Sequence, residues 1–316
     1  MAFTLDPQVA SAVGELSALA AGVSKPEVGD VASRRVWMEA GQVFMESKRV
    51  MPSDVTTTDF EACADDGATV GLRWYAKDVS SPGSAVVHLH GGGMILSNVG
   101  LYDGIVARYV SACGVPMLSV EYRYAPEHPG LTPVHDSFVA LRWLADHGDE
   151  LGVDPARIAV MGDSAGGGTA AGLALLARDR GGPSIAQQIL IYPMLDDRTT
   201  VPDPALVPFA GWTYEDNLTG WSALLGGDLG GRDVSPYAAP ARLEDWTNLP
   251  PTYIEVGELD IFRDECIEFA RRTALAGVST ELHVRPGVPH GWDVVAPEAD
   301  VTKRSMADRI RRLQSV

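Results

Sequence analysis

The stretch RIAVMGDSAGGGTAAGLALLA, residues 157–177, decides the fold. Its first part, RIAVM, is a short apolar run of the kind that forms a buried strand, and its last part, TAAGLALLA, reads as a helix. Between them Gly162-Asp163-Ser164-Ala165-Gly166 fits the pattern G-x-S-x-G. In a strand–turn–helix this pentapeptide makes a sharp elbow that lifts the serine hydroxyl above the sheet. The flanking glycines let the strained turn form and let the helix approach closely. Gly and Ser are common, so the pentapeptide alone says little. Its position between a strand and a helix makes Ser164 a candidate nucleophile rather than a plain turn serine.

Working outward, short apolar runs alternate with helical stretches. The runs are AVVHLH (85–90), PMLSVEY (116–122), RIAVMG (157–162), QQILIY (187–192), TYIEVG (252–257) and TELHV (280–284). Near-continuous apolar strands separated by helices predict a parallel sheet covered on both faces, an α/β fold. Val134, Phe138, Leu141 and Ala145 share one helical face, and Thr132-Pro133 is a good helix start. Met306, Ile310 and Leu313 mark a last helix. Residues 54–76 hold two β-rich segments around Asp65-Asp66-Gly67, which predicts a hairpin. Residues 7–50 read as helical. The interval between Tyr192 and Thr252 is too long for a plain connection and carries Phe209, Trp212, Tyr214 and Trp221, with a helix expected near 214–225. The expected organisation is a helical cap segment over 1–50 and a catalytic domain over 51–316, with a cap insertion at about 196–235.

Composition narrows the functions. Apolar residues make up 46% and charged residues 21% of the 316, ample for a large core. A net charge of −17 with no Lys/Arg run argues against nucleic acid as a partner. The N-terminus lacks the basic start of a signal peptide, and Thr169–Ala177 is far short of the roughly 20 apolar residues that span a bilayer. No membrane partner is expected. Cys63, Cys113 and Cys266 fit neither a zinc pattern nor a disulfide framework, so they read as buried, reduced thiols of a cytoplasmic protein. No His/Cys/Asp/Glu group has metal-ligand spacing, and neither a metal nor a cofactor is expected. A homodimer is compatible with the sequence.

A serine nucleophile needs a base, an acid to orient the base, and donors for the oxyanion. His90-Gly91-Gly92-Gly93 directly follows AVVHL, where a loop without side chains can turn backbone N–H groups toward a developing charge. Gly92 and Gly93 are the candidate donors, with the Ala165 N–H as a third. The alternative is a flexible turn; a phosphate loop would need GxxxxGK[ST] or GxGxxG. Among seven histidines, His290 in GVPHGW (287–292) follows the last strand and suits the chain order nucleophile–acid–base. His90 is read as holding the loop's shape, His88 and His283 as strand residues, and His147 as solvated. Asp260 follows TYIEVG at its carboxyl end, where the site of an open α/β sheet belongs. Asp264 and Glu265 fall on the first turn of the next helix, where acids are favoured for structural reasons.

Together HGGG (90–93), EYRYAPEHP (121–129), GDSAGGG (162–168), YP (192–193), Asp260-Ile-Phe-Arg-Asp-Glu265 and His290-Gly291 resemble the hormone-sensitive-lipase family of esterases, also called the bacterial family IV esterases, over residues 80–295. The resemblance implies an α/β-hydrolase fold: a mostly parallel eight-stranded sheet with helices on both faces and a helical cap. It implies hydrolysis of small or short-acyl esters without a cofactor, with Ser164, Asp260 and His290 as triad and Gly92, Gly93 and Ala165 as oxyanion hole. Met94 stands where an aromatic is usual, Ile261-Phe262 replaces a common Pro-Leu, and Trp292 replaces a common Phe. Met94, Asp163, Trp212, Phe262 and Trp292 are the candidate pocket residues. Two alternatives remain open: a small-molecule receptor on the same fold, and amide, carbamate or lactone cleavage or acyl transfer at the same triad.

Overall fold

Pairing of the strands gives one eight-stranded sheet in the order β1-β2-β4-β3-β5-β6-β7-β8. The strands are β1 (Val55–Cys63), β2 (Thr69–Lys77), β3 (Ala85–Leu89), β4 (Met117–Glu121), β5 (Ile158–Asp163), β6 (Gln188–Ile191), β7 (Thr252–Gly257) and β8 (Thr280–Arg285). The computed structural model describes residues 3–19, 22, 24–47, 49–77 and 83–316. β1 and β2 form the expected antiparallel hairpin, β2 also pairs antiparallel with β4, and the pairs from β4 through β8 are parallel. The sheet is the mostly parallel one expected, and each strand read from an apolar run lies within one residue of its expected ends. Every residue of β3, β5, β6 and β7 is buried, which requires cover on both faces.

The helices are α1 (Pro7–Leu19), α2 (Val31–Ser47), α3 (Val99–Cys113), α4 (Thr132–Asp146), α5 (Gly148–Leu151), α6 (Ala165–Arg180), α7 (Tyr214–Leu225), α8 (Arg263–Leu275), α9 (Trp292–Val295) and α10 (Asp300–Leu313). α4 starts at Thr132-Pro133 and buries Val134, Phe138 and Leu141. α6 buries every residue from Ala165 to Ala177, because its small side chains let it lie tightly against the sheet. The expected helical run over 7–50 is two helices, broken where Pro26 and Gly29 fall. Positions 20, 21, 23 and 48 of that run lie outside the described residues, as do positions 1 and 2 of the expected cap segment.

The excursion between β6 and β7 contains α7, which opens with a reciprocal Thr213/Asp216 capping box. Its base is closed by Arg242 on the fully buried Asp197 (2.7 Å) and by Ala241 N–H donating to Leu195 O (3.1 Å). Among the described residues, two hydrogen bonds join this excursion to α2 and the turn before it. Arg34 Nε donates to Asp216 Oδ1 (2.8 Å), and Gly29 N–H donates to Thr219 Oγ1 (3.0 Å). Two sequence expectations change. Cys113 and Cys266 are buried, but Cys63 is exposed on edge strand β1. His147 is only partly solvated: it is half-buried, stacked on Trp143 at 4.3 Å. No helix among the described residues is long and apolar enough to cross a membrane.

Candidate active site

Ser164 stands between β5 and α6 with φ 57° and ψ −120°, a conformation that residues with a β-carbon rarely adopt. Main-chain bonds hold it there. Ser164 N–H donates to Ile191 O (2.8 Å), and Ser164 O accepts from Met194 N–H (2.9 Å) and Gly168 N–H (3.0 Å). Two neighbouring glycines are needed for close approach. A Cβ at Gly162 would lie 2.2 Å from Gly166 O, and one at Gly166 would lie 2.1 Å from Leu89 O.

The structure brings Ser164, His290 and Asp260 into one chain of hydrogen bonds. Ser164 Oγ lies 2.9 Å from His290 Nε2, and His290 Nδ1 lies 2.7 Å from Asp260 Oδ2. The tautomer protonated on Nδ1 satisfies both contacts, with the serine hydroxyl donating. Asp260 is fully buried, and its Oδ1 accepts from Phe262 N–H (2.9 Å). The acid and base loops are tied together by Leu259 N–H donating to Val288 O (3.0 Å). Tyr192 and Phe262 flank the imidazole edge-on, 4.7 and 5.2 Å away, and fix its plane.

The other acids are placed differently. Asp264 is exposed and pairs with Arg263 (2.7 Å). Glu258 accepts from Gly287 N–H (2.9 Å) and so braces the histidine loop from outside. Glu265 is buried and accepts from Leu195 N–H (2.7 Å) and from the Thr199 hydroxyl, which anchors the start of the excursion. Burial holds its carboxyl well above the usual range. It is therefore a packed tether, not the surface helix-terminal charge that its first-turn position suggests.

The HGGG loop packs directly on the elbow, since a Cβ at Gly91 would lie 3.4 Å from Ser164 Cβ. Among the described residues no acceptor takes the N–H of Gly92 or Gly93. His90 is buried, stacks on Tyr122 at 4.3 Å, and faces Gly91 O through Nδ1 (2.8 Å), while the Tyr122 hydroxyl donates to His90 O (2.6 Å). Burial depresses His88 to about 3 and His90 to about 4, which leaves both neutral, and neither contacts Ser164 Oγ.

Of the candidate pocket residues, Trp212 lies over the loop: a Cβ at Gly93 would be 2.3 Å from its ring. Met94 follows Gly93, buried and with φ 61°. Phe262 touches the imidazole as described. Trp292 is fully buried, edge-on to Tyr192 at 5.4 Å and 5.8 Å from the Arg309 guanidinium. Asp163 lines a cavity of about 160 Å³ with Arg49, Arg108 and Asp293. Burial, reinforced by Asp293 and opposed by Arg309 and His290, pushes its carboxyl up to about 7.

Sequence reasoning missed the ionic network behind the base. Buried Arg309 donates to Glu255 (2.7 Å), Tyr109 (2.8 Å) and Asp293 (2.5 Å), and Asp293 accepts from the Tyr192 hydroxyl (2.9 Å). Its available signal was Glu255, an acid inside the apolar run TYIEVG.

The α/β-hydrolase-fold family matches this chain over residues 86–294. Esterase LipI of Mycobacterium tuberculosis is 36% identical over 70% of this chain and 70% of its own length. Carboxylesterase NlhH of the same species is 36% identical over 73% of this chain and 74% of its own. A solved structure described as a bacterial heroin esterase superposes with a TM-score of 0.89 at 36% identity, covering 99% of this chain and 98% of its own. With the family match running from β3 past Ser164, Asp260 and His290, the chain belongs to the α/β-hydrolase-fold family, in its hormone-sensitive-lipase-like group.

Proposed function

We propose that this protein is a serine carboxylesterase that cleaves small, short-acyl esters through Ser164, His290 and Asp260. The observation that carries the reading is the unbroken hydrogen-bond chain from Ser164 Oγ through the imidazole to the buried Asp260 carboxylate. The esterases among the relatives support it. Ser164 Oγ attacks the ester carbonyl carbon as its proton passes to His290 Nε2, and Asp260 stabilises the imidazolium. The carbonyl π pair moves onto oxygen, where the N–H groups of Gly92, Gly93 and Ala165 receive it. One such donor is worth about 10²–10³ in rate. The imidazolium protonates the leaving alcohol, and water then repeats the cycle on the acyl-enzyme.

Residues 1–50 and about 196–235 act as the cap in this reading. The Arg34–Asp216 pair, the Gly29–Thr219 bond and the Trp212–Gly93 contact support that assignment. Ser164 is only 6% exposed, which favours small soluble esters over a lipid surface. In this reading Met94, Trp212 and Phe262 wall the pocket, while Asp163 and Trp292 act from behind the elbow and behind Tyr192; the Trp212 ring over Gly93 and Phe262 against the imidazole support it. The positioned base disfavours a receptor that has lost catalysis. A cytoplasmic location rests on the unpaired cysteines and a homodimer on open edge strand β8.

The test is turnover of p-nitrophenyl acetate by the wild type and by Ser164→Ala. The variant should lose nearly all activity while melting close to the wild type. Substantial turnover by folded Ser164→Ala removes the assignment. Parallel assays with a matched amide separate ester from amide chemistry.

A further inference from the structure

The loop that follows HGGG is held from outside by α2. Within 92–97, Met94 (φ 61°) and Ser97 (φ 79°) occupy the left-handed region that a side chain disfavours, alongside Gly92 and Gly93. Such a segment keeps its shape only when its surroundings over-determine it. The internal bonds are few: Ile95 N–H and Leu96 N–H both donate to Gly92 O (3.1 Å each). The remaining anchors come from elsewhere in the chain. Met94 O accepts from Ala125 N–H (2.9 Å). Arg35 of α2 donates through Nε to Ile95 O (2.5 Å) and through Nη2 to Ala125 O (2.9 Å), while Glu39, one turn further on, accepts from Ser97 N–H (3.4 Å). The Arg35 guanidinium also meets Glu127 (2.6 Å) and lies 5.1 Å from the Tyr124 ring.

Resting on the reading of Gly92 and Gly93 given above, we propose that Arg35 is a positioning residue for the oxyanion hole: one guanidinium spans the Ile95 and Ala125 carbonyls and thereby fixes the turn that presents the Gly92 and Gly93 N–H groups to Ser164. Docking of α2 then completes the catalytic geometry as well as covering it. A planar guanidinium fork can reach both carbonyls at once, whereas an ammonium is a point charge. Oxyanion donors act because they are held in place before the charge develops, and a displacement of about 1 Å can cost about 10² in rate.

The test compares wild type, Arg35→Met, Arg35→Lys and Glu127→Gln. It measures kcat and KM for p-nitrophenyl acetate and Ki for an aryl trifluoromethyl ketone. Ser164 Oγ adds to that ketone's carbonyl carbon, its proton goes to His290, and the carbonyl oxygen becomes the anion in the hole. Arg35→Met should lower kcat about 10- to 100-fold with little change in KM, and should weaken the ketone by a similar factor. Arg35→Lys, which keeps a positive charge near Glu127, should fall between, and it carries the test if the methionine variant does not fold. Glu127→Gln, which spares both carbonyl contacts, should stay within about twofold. A folded Arg35→Met or Arg35→Lys with wild-type kcat, or a kcat loss without loss of ketone affinity, overturns the proposal. Wild-type turnover that survives in Ser164→Ala would instead overturn the underlying esterase reading.

Discussion

The sheet edge that carries Ser164, Asp260 and His290 is held mainly by main-chain hydrogen bonds, whereas the segments packed against it are held mainly through side chains, charged ones above all. At the edge, Ser164, Met194, Leu259 and Val288 are tied through their own N–H and C=O groups, and β5 and β7, the strands beneath Ser164 and Asp260, are buried throughout. Across the gap, α2 and α7 depend on Arg34–Asp216, α2 and the loop after HGGG on the Arg35 guanidinium donating to the Ile95 and Ala125 carbonyls, and the excursion's base on Asp197–Arg242. Main-chain bonds survive most changes of side chain. Ion pairs fail when one partner is replaced, because a buried charge is left alone. The triad therefore sits on a frame tied mainly through the main chain, while the oxyanion loop and the walls that select a substrate depend on side chains that one substitution can remove.

The largest effect should come from the edge itself. Asp260→Asn keeps the shape but removes the charge and favours the wrong imidazole tautomer, a change that costs about 10⁴ in kcat in a comparable triad. Kinetics of the folded variant check this, and Glu258→Gln proving to be the inactive, well-folded variant would move the acid to Glu258. Next in size is Arg34→Met, which strands Asp216 where both side chains are almost fully covered. It should cost about 3–5 kcal/mol of local stability. Amide hydrogen exchange should rise in α2 and α7 and stay unchanged in β5 and β7. Uniform loosening of the whole sheet would erase the contrast between the two regions.

A third prediction concerns pH. The Asp163 carboxyl is raised from 3.8 to about 7 in the folded chain. Its contribution is fully present below about pH 4 and is lost as pH rises through about 7, since the unfolded chain releases the proton first. Asp163→Asn mimics the neutral form. Its stability relative to the wild type should therefore improve by roughly 2 kcal/mol between pH 5 and pH 8. A difference that is flat or falls with pH would show that Asp163 is ionised across the range. The smallest effect belongs to Asp264→Asn on the exposed start of α8, about 0.3–1 kcal/mol in stability with kcat unchanged.

Much of the edge was legible in the sequence because local signals write it. TYIEVG is β7 to the residue, and 214–225 is α7 to the residue. The elbow, HGGG and GVPHGW lie at strand ends, and the structure brings Ser164, Asp260 and His290 together from those short motifs. What stayed hidden depends on partners far apart in the chain. Arg34 and Asp216 are 182 residues apart, and Arg35 reaches Ile95 over 60. In VASRRVWMEA the two arginines look like a solvated helix face. Likewise Glu265 looks like a helix-terminal charge until the excursion folds back onto it, and the break near Pro26 and Gly29 was absorbed into one long helical run.

The most direct test of the account is the site of covalent modification by a serine-directed organophosphate. The wild type should lose ester hydrolysis in proportion to a single added mass, carried by the peptide containing Ser164, and Ser164→Ala should take up none. Inactivation with the mass on another residue, or full activity after Ser164 is labelled, would contradict it.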